Sequence, residues 1–396
     1  MRVMDERMSR IHVAVLGGGP AGLAAAIALR QRGCRVALYD GQRPPIDKAC
    51  GEGLMPEAVR LLRALGVSLG KQDGAPMTGI SFHDAHASAS AAFGESLPGN
   101  ESGLAVRRTL LQSRMAARAA AMGIDLRWGA VVQTRKGGGF RSAGEVIHAD
   151  FFVIADGLCS TLAAACGFRE RNCYSTRYAS RQQFRRAPCS NHVAVYWGSG
   201  EQIYVTPLGD DEVGVALLTS RRGRRLSDAL PDFPAVAKWI AGAESTSSMR
   251  GAVTKTRSLR EVIRGNVAVL GDASGSVDAV TGEGLLSALR QAHALADAID
   301  AGEPERYQAA HRRISQGPLR MARLLLLLGR FLWLKQLFVA TMAKRPESFD
   351  ALLRVHLAEQ SWGSFVRSEA TALVSGRRER APWRLFAMGA YRERGL

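Results

Sequence analysis

The chain has 396 residues, 46% of them hydrophobic and 22% charged, with a formal net charge of +17. That length suits about two domains, and that composition excludes a globally disordered chain. No uncharged apolar segment reaches the roughly 18 residues of a simple spanning helix. The positive charge leaves three partner classes: nucleic acid, an anionic membrane surface, or anionic small molecules. Arginines are scattered, with local groups at Arg221–Arg225 and Arg377–Arg380. No zinc-finger spacing, helix-turn-helix pattern or aromatic-interleaved basic repeat accompanies them, so no nucleic-acid partner is expected. Cys34, Cys50, Cys159, Cys166, Cys173 and Cys189 show no metal-ligand spacing and read as thiols of a reducing compartment. Met1–Arg10 is polar and charged, unlike a secretory signal. The expected location is cytoplasmic, peripheral at the inner membrane face.

The first predicted elements form a βαβ unit over about residues 11–40. An apolar run, Val13–Leu16, ends in Gly17-x-Gly19-Pro20-Ala21-Gly22, and an alanine-rich helical pattern follows. A second run, Cys34–Tyr39, ends at Asp40, 18 residues after Gly22. Gly17 permits the tight turn, Gly19 removes a side chain that would block a pyrophosphate, and Gly22 lets helix and strand pack closely. The helix N-terminus offers bare N–H groups to phosphate, and Asp40 can accept from a ribose. Together these predict a dinucleotide site.

A loop with Pro44-Pro45 and Lys48-Ala-Cys50-Gly-Glu-Gly53 comes next, then a helix over 57–66. Short strands and turns are expected from about 77 to 104. Arg107-Arg108 opens a helix to about Gly123, followed by strands at 124–128 and at Val131-Val132. Phe151–Ala155 is a continuous apolar run, as a buried parallel strand should be, and it ends at Asp156-Gly157. Alternating strands over 178–219 predict an antiparallel sheet. Val267–Leu270 then runs into Gly271-Asp272, and Thr281-Gly282-Glu283-Gly284 opens a helix to Ile299. From about Glu305 the chain reads as helical. Arg320–Val339 interrupts an apolar run with bases, the pattern of an interfacial helix with basic anchors; the basic tail from Arg377, with Trp383 and Phe386, is a further candidate for headgroup contact. His83-x-x-His86 lacks a third ligand nearby, so no metal is expected.

Three of these segments resemble the three fingerprints of the glutathione-reductase-type FAD fold. The branch they resemble contains para-hydroxybenzoate hydroxylase and the geranylgeranyl reductases. Gly17-x-Gly19-x-x-Gly22 with Asp40 resembles the ADP-binding fingerprint, Asp156-Gly157-x-x-Ser160 the Asp-Gly motif, and Gly271-Asp272 with Gly282-x-Gly284 the segment at the ribityl chain and flavin edge. The resemblance spans residues 11 to about 300. It implies an α/β fold: a Rossmann-like FAD-binding domain (1–80, 105–170 and 260–305), an antiparallel-sheet substrate domain (81–104 and 171–259), and a helical C-terminal region (306–396). The implied cofactor contacts are Gly17, Gly19, Pro20, Ala21, Gly22, Asp40, Lys48, Cys50, Arg108, Val132, Asp156, Gly271, Asp272, Gly282, Glu283 and Gly284. Asp40 would bind the adenosine ribose and Asp272 the ribityl side. Arg108 would touch the cofactor, and Gly282–Gly284 would turn N–H groups to the flavin.

Some positions depart from the hydroxylase pattern. Gly275 stands where histidine is common, Ser276–Val280 lacks the usual proline, and Ala163 replaces an arginine. Thr281–Gly284 and Lys48-Ala-Cys50-Gly look more like the reductases. The segments as a whole also look like flavoprotein hydroxylases of bacterial polyketide pathways. The Trp-x-Trp pattern of flavin-dependent halogenases is absent. The resemblance implies an FAD-dependent monooxygenase that uses NAD(P)H and O2 on a hydrophobic phenolic substrate, including lipidic ones. The alternatives are a geranylgeranyl-reductase-like enzyme and a non-catalytic FAD-binding protein. No catalytic base stands out; His83, His86 and Tyr204 are candidate contacts.

Overall fold

The computed structural model describes residues 11–93 and 102–374. Met1–Arg10, residues 94–101 and the basic tail from Arg377 lie outside the described residues.

Strands buried on both faces read as unbroken apolar runs, and two such runs build the centre of the first sheet. His12–Leu16 pairs in parallel with Phe151–Ile154 on one side and Arg35–Asp40 on the other. Asp125–Trp128 and Val267–Val269 extend it in parallel, and the short Ile263–Arg264 closes one edge antiparallel. Helices Pro20–Gln31, Arg108–Ala121 and Gly284–Asp300 cover one face. The alanines from Ala24 to Ala28 are fully buried there, small enough for close helix packing. The other face carries a small three-stranded sheet, Val132–Thr134, Phe140–Ser142 and Glu145–Ile147. Phe140 meets Phe152 at 4.8 Å across that contact.

The second large sheet has eight strands: Gly275–Ser276, Arg250–Leu259, Glu170–Arg185, Glu212–Thr219, Glu201–Pro207, His192–Trp197, Gly79–His83 and Ser88–Ala92. Most of its pairings are antiparallel, but His192–Trp197 runs parallel to Gly79–His83. Side chains alternate between faces, so register decides what each face offers. One face is apolar: Val205, Val215 and Leu217 pack on Phe233 and Ile240 of the short helical segment that follows. The opposite face carries Arg177, Arg181, Gln183, Tyr204 and Thr206 and meets the first domain. Gly103–Ala105, which straddles the boundary expected at 104/105, pairs with Gly53–Leu54 and Ala75–Met77.

The C-terminal helices dock on the edge of the second sheet. Phe82 packs on Trp197 (5.6 Å between ring centres), Phe338 (6.2 Å) and Phe349 (5.0 Å). The single helix expected through Arg320–Val339 is two: Arg306–Arg330 and Leu332–Lys344, bent by 115°. Gly329 at the bend packs against Trp197 and Gln202, and Phe331 is extended, with φ −118° and ψ 114°. Each arm buries its own stripe, so the chain turns to satisfy both. No single described helix is long and apolar enough to cross a membrane.

Arg177 and Asp278 form a buried ion pair at 3.2 Å, and Arg177 also donates to Gln202 and the Leu218 carbonyl. Removing one member of such a pair leaves the other charge without compensation. Asp278→Ala is expected to lower unfolding stability by about 3–5 kcal/mol, read by urea titration. A double Arg177→Met/Asp278→Ala variant should lose less than the Asp278→Ala single.

Candidate functional site

The cleft begins at the turn after His12–Leu16. Gly17 has φ +125°, and a Cβ there would lie 2.3 Å from the Ala155 carbonyl oxygen. At Gly22 a Cβ would lie 1.8 Å from the Gly17 carbonyl oxygen. These two glycines are required by protein packing. Gly19 is different: a Cβ there would meet nothing within 4 Å, so it keeps space open before the helix that starts at Pro20. That helix has no acidic residue in its first turn, so its N–H groups and positive dipole end are not neutralised. A Cβ on Gly271 would lie 2.7 Å from the Ala21 side chain. The first and third motifs, some 250 residues apart, therefore share one wall.

Asp40 stands at the end of its strand, as expected, but its oxygens have local partners. Oδ2 accepts from the Gly18 N–H at 2.6 Å, and Oδ1 from the Gln42 N–H at 2.7 Å. The carboxylate thus shapes the glycine turn, and its remaining lone pairs are what a ribose could use. The side chain of Val132 is half-buried and packs on the apolar cluster around Tyr39 and Phe140. Its neighbour Val131 is the exposed one, beside Gly41.

Four charged groups from distant segments converge deeper in. Asp272 faces the cleft; the surrounding protein pushes its carboxyl up, opposed by Arg257, Lys48 and Arg108. Asp156 is raised in the same way, with Ser160 and Lys48 among the opposing influences. Arg257 donates to the carbonyls of Leu158 at 3.1 Å and Asp272 at 2.6 Å, clamping the second motif to the third. Asp156 Oδ1 and Arg108 Nη1 are buried without a hydrogen-bond partner. Buried polar atoms are ordinarily satisfied. An unpaired acceptor and an unpaired cationic donor, beside a bare helix N-terminus, suit a ligand with hydroxyls and phosphates. FAD has both, and the residues present fit it.

The third motif forms the floor under the second sheet. Asp278 caps the short turn Ala279–Thr281, accepting from the Val280 N–H at 3.0 Å. Gly282 (φ +67°) and Gly284 are exposed to the cleft. Glu283 points the other way, into the protein, where His356 Nδ1 lies 3.5 Å away. Burial raises the Glu283 carboxyl, with His356 and Arg290 opposing. Tyr204 donates to the Val280 carbonyl at 3.0 Å, and burial pushes its phenol up.

Sequence reasoning missed Glu52. It has φ +61°, a conformation that favours glycine, and is 4% exposed. Its carboxylate accepts from both the Arg108 N–H at 3.1 Å and Gln183 at 2.8 Å, with Arg181 at 3.7 Å. Burial raises its carboxyl, and Arg181 is the largest opposing influence. Lys48 reaches the charge cluster, while the Cys50 sulfur accepts from the Glu52 N–H at 3.4 Å and desolvation pushes the thiol up. Gln112 was missed too: fully buried, it accepts from Ile46 N–H at 2.6 Å and donates to the Gly18 carbonyl at 3.1 Å.

His83 and His86 are not brought to the cleft. His83 pairs in register with Tyr196 and stacks on it at 4.7 Å, on the face turned away from the flavin-loop motif. The His86 N–H is held by Asp84 in the adjoining turn. Among the described residues, no group of three or more His, Cys, Asp or Glu is placed to hold a metal ion.

Residues 10–306 match the protein family described as FAD binding domain. The chain belongs to this family. It is an FAD-dependent oxidoreductase. It is 27% identical to the menaquinone reductase of Mycolicibacterium smegmatis over 361 residues, 82% of this chain and 86% of that one. AqdB1 of Rhodococcus erythropolis, provisionally named a 2-heptyl-3-hydroxy-4(1H)-quinolone synthase, is 30% identical over 315 residues, 73% of this chain and 80% of the other. In fold it resembles a geranylgeranyl bacteriochlorophyll reductase-like protein of Thermoplasma acidophilum, with TM-score 0.72 and 18% identity over 90% of this chain and 98% of that one. The α/β FAD-binding fold with an antiparallel sheet and C-terminal helices is that of this family.

The glycines separate packing from ligand space. Gly22→Ala is expected to cost about 2–3 kcal/mol in stability, read by thermal unfolding. Gly19→Ala should stay within about 0.5 kcal/mol yet weaken FAD binding at least about tenfold, read by flavin titration of apoprotein.

Glu52 and Glu283 hold their protons more tightly folded than unfolded. The folded state therefore binds more protons just above the ordinary carboxylate range, and stability falls as pH rises through that window. Apoprotein melting temperature should decline from about pH 5 to 7, and Glu52→Gln should flatten that slope.

Proposed function

We propose that the chain is a monooxygenase that hydroxylates a hydrophobic phenolic ring, lipid-tailed ones included, with NAD(P)H and O2. The observation that carries this reading is the wall above Val280–Gly284. On that face of the sheet, Ala179, Val193, Tyr204 and Ala216 are only half-buried and uncharged. The cations beside them are committed within the protein: Arg177 to Asp278, and Arg181 to Asp47 and Glu52. Such a wall suits an apolar ring, since a charged substrate would lose its hydration there without gaining a partner.

Bound FAD supplies the redox chemistry, taking two electrons from NAD(P)H and passing them to O2. In the overall reaction a ring C–H becomes C–OH. One oxygen atom enters the ring and the other leaves as water, with a proton taken from solvent. Lys48, Arg108 and the N-terminus of the helix beginning at Pro20 would hold the phosphates. Asp156 and Asp272 would take hydroxyls of the sugar and ribityl parts. Gly282–Gly284 would present N–H groups to the flavin edge, where negative charge gathers on reduction. Tyr204 fixes the Val280 carbonyl and with it the height of that loop under the sheet. The apolar wall excludes water.

A second reading, reduction of an isoprenoid double bond, is favoured by the likeness to a menaquinone reductase over most of both chains. The two readings part on oxygen. Purified holoprotein with NADH or NADPH and a 5-alkylresorcinol is expected to consume O2 and place isotopic label from O2 in the product. Unlabelled, chain-saturated product from menaquinone under anaerobic conditions, with no turnover of the resorcinol, would overturn the monooxygenase reading.

A further inference from the structure

Five of the eleven large hydrophobic side chains exposed among the described residues lie between positions 327 and 337. They are Leu327, Phe331, Leu332, Trp333 and Leu337, each 37–57% exposed. All sit at the bend between Arg306–Arg330 and Leu332–Lys344, where the arms meet at 115°. Isolated exposed apolar residues are ordinary, but a cluster with two aromatics at one projecting corner marks a contact surface.

Charge around the corner narrows the partner. From Arg306 to Arg345 the sequence holds nine lysines and arginines and no aspartate or glutamate. Arg312, Arg313, Arg320, Arg323, Arg330 and Lys344 are exposed. Two of these lie against aromatic rings, Arg323 over Tyr174 at 4.8 Å and Arg330 over Phe331 at 5.7 Å. Aromatic and aliphatic side chains flanked by bases form the pattern of an element lying in an anionic lipid interface.

The inner side of the corner is fixed. Leu325, Leu328, Leu334, Phe338 and Val339 are buried in the core. Lys335 crosses inward and donates to the carbonyls of Trp197 and Gly198, each at 3.2 Å. Inserting both arms as a hairpin would expose that core and break those bonds, so the geometry favours resting on a membrane over crossing one.

We propose that this corner docks the protein on an anionic phospholipid bilayer, with Phe331, Leu332 and Trp333 entering the interface and the surrounding arginines on the headgroups. The proposal is independent of which redox reaction the cleft performs. A docked corner would also lie close to the cleft, because Gly329 packs on Gln202, and Gln202 takes a hydrogen bond from Arg177.

The test is co-sedimentation of the full-length, FAD-loaded protein with phosphatidylcholine vesicles, with and without phosphatidylglycerol. Binding is expected only with phosphatidylglycerol and should weaken with salt. A Phe331→Ser/Leu332→Ser/Trp333→Ser variant and an Arg320→Gln/Arg323→Gln/Arg330→Gln variant should each bind at least about tenfold more weakly. Both should keep the wild-type flavin spectrum and melting temperature, which separates lost docking from lost folding. Equal binding by wild type and both variants would overturn the proposal, as would no binding to anionic vesicles. A wild-type dimer that the serine variant converts to monomer would assign the corner to a second copy instead.

Discussion

A carboxylate taken out of water must be paired or must give up its charge, and Glu52 meets that requirement by tying three parts of the molecule together. It comes from the loop after the first βαβ unit. Its partners are the first N–H of the helix Arg108–Ala121 and two side chains, Gln183 and Arg181, of one strand in the second sheet. Arg181 in turn reaches Asp47, in the loop that follows Asp40, and Arg250 reaches the same carboxylate. The distance between FAD domain and sheet is therefore set by polar bonds with fixed directions. Apolar contacts alone would allow sliding. The backbone of Glu52 sits in a region that costs an L-residue about 1–3 kcal/mol, and the surrounding bonds hold it there.

The same hub sets the electrostatics of the cleft. Arg108 has its backbone held by Glu52 while its guanidinium extends into the cluster with Lys48, Asp156 and Asp272. Two cations and two carboxylates converge there, and Arg108 Nη1 and Asp156 Oδ1 find no partner. Arg177 pairs with Asp278 and Arg181 with Asp47, whereas the buried Arg108 Nη1 and Asp156 Oδ1 beside the cleft are left for a ligand.

Legibility in the sequence follows the range of the interactions. The glycine turn, the helix behind it and the acid at the next strand's end are local, so their spacing carried the dinucleotide reading. Gly271-Asp272 and Gly282-x-Gly284 were visible because each follows a strand or opens a helix. Glu52, Gln112 and Arg181 were hidden because their partners lie far along the chain or across a sheet, and residue type alone does not announce them. His83 shows the limit most clearly. A short strand was readable there, but which parity faces the cleft depends on its parallel register with His192–Trp197, a pairing that no local pattern specifies. The bend at Phe331 was equally hidden: no proline stands at the break, and only the separate surfaces beneath each arm make the chain turn.

Those C-terminal helices are also joined to the chemistry. Glu283 lies between the two exposed glycines of the floor, with its side chain directed away from the cleft to His356 at the end of the helix Pro346–His356. Arg290, on the helix that begins at Gly284, contributes to the same field and pairs with Glu57. A glycine-flanked turn is conformationally permissive, so it needs an anchor if its N–H groups are to point at a ligand with constant aim. Burying the intervening carboxylate against the C-terminal helices provides one. The fold therefore makes the helical region part of the floor of the cleft, through Glu283 and His356, and part of the sheet wall, through Lys335 and Phe338.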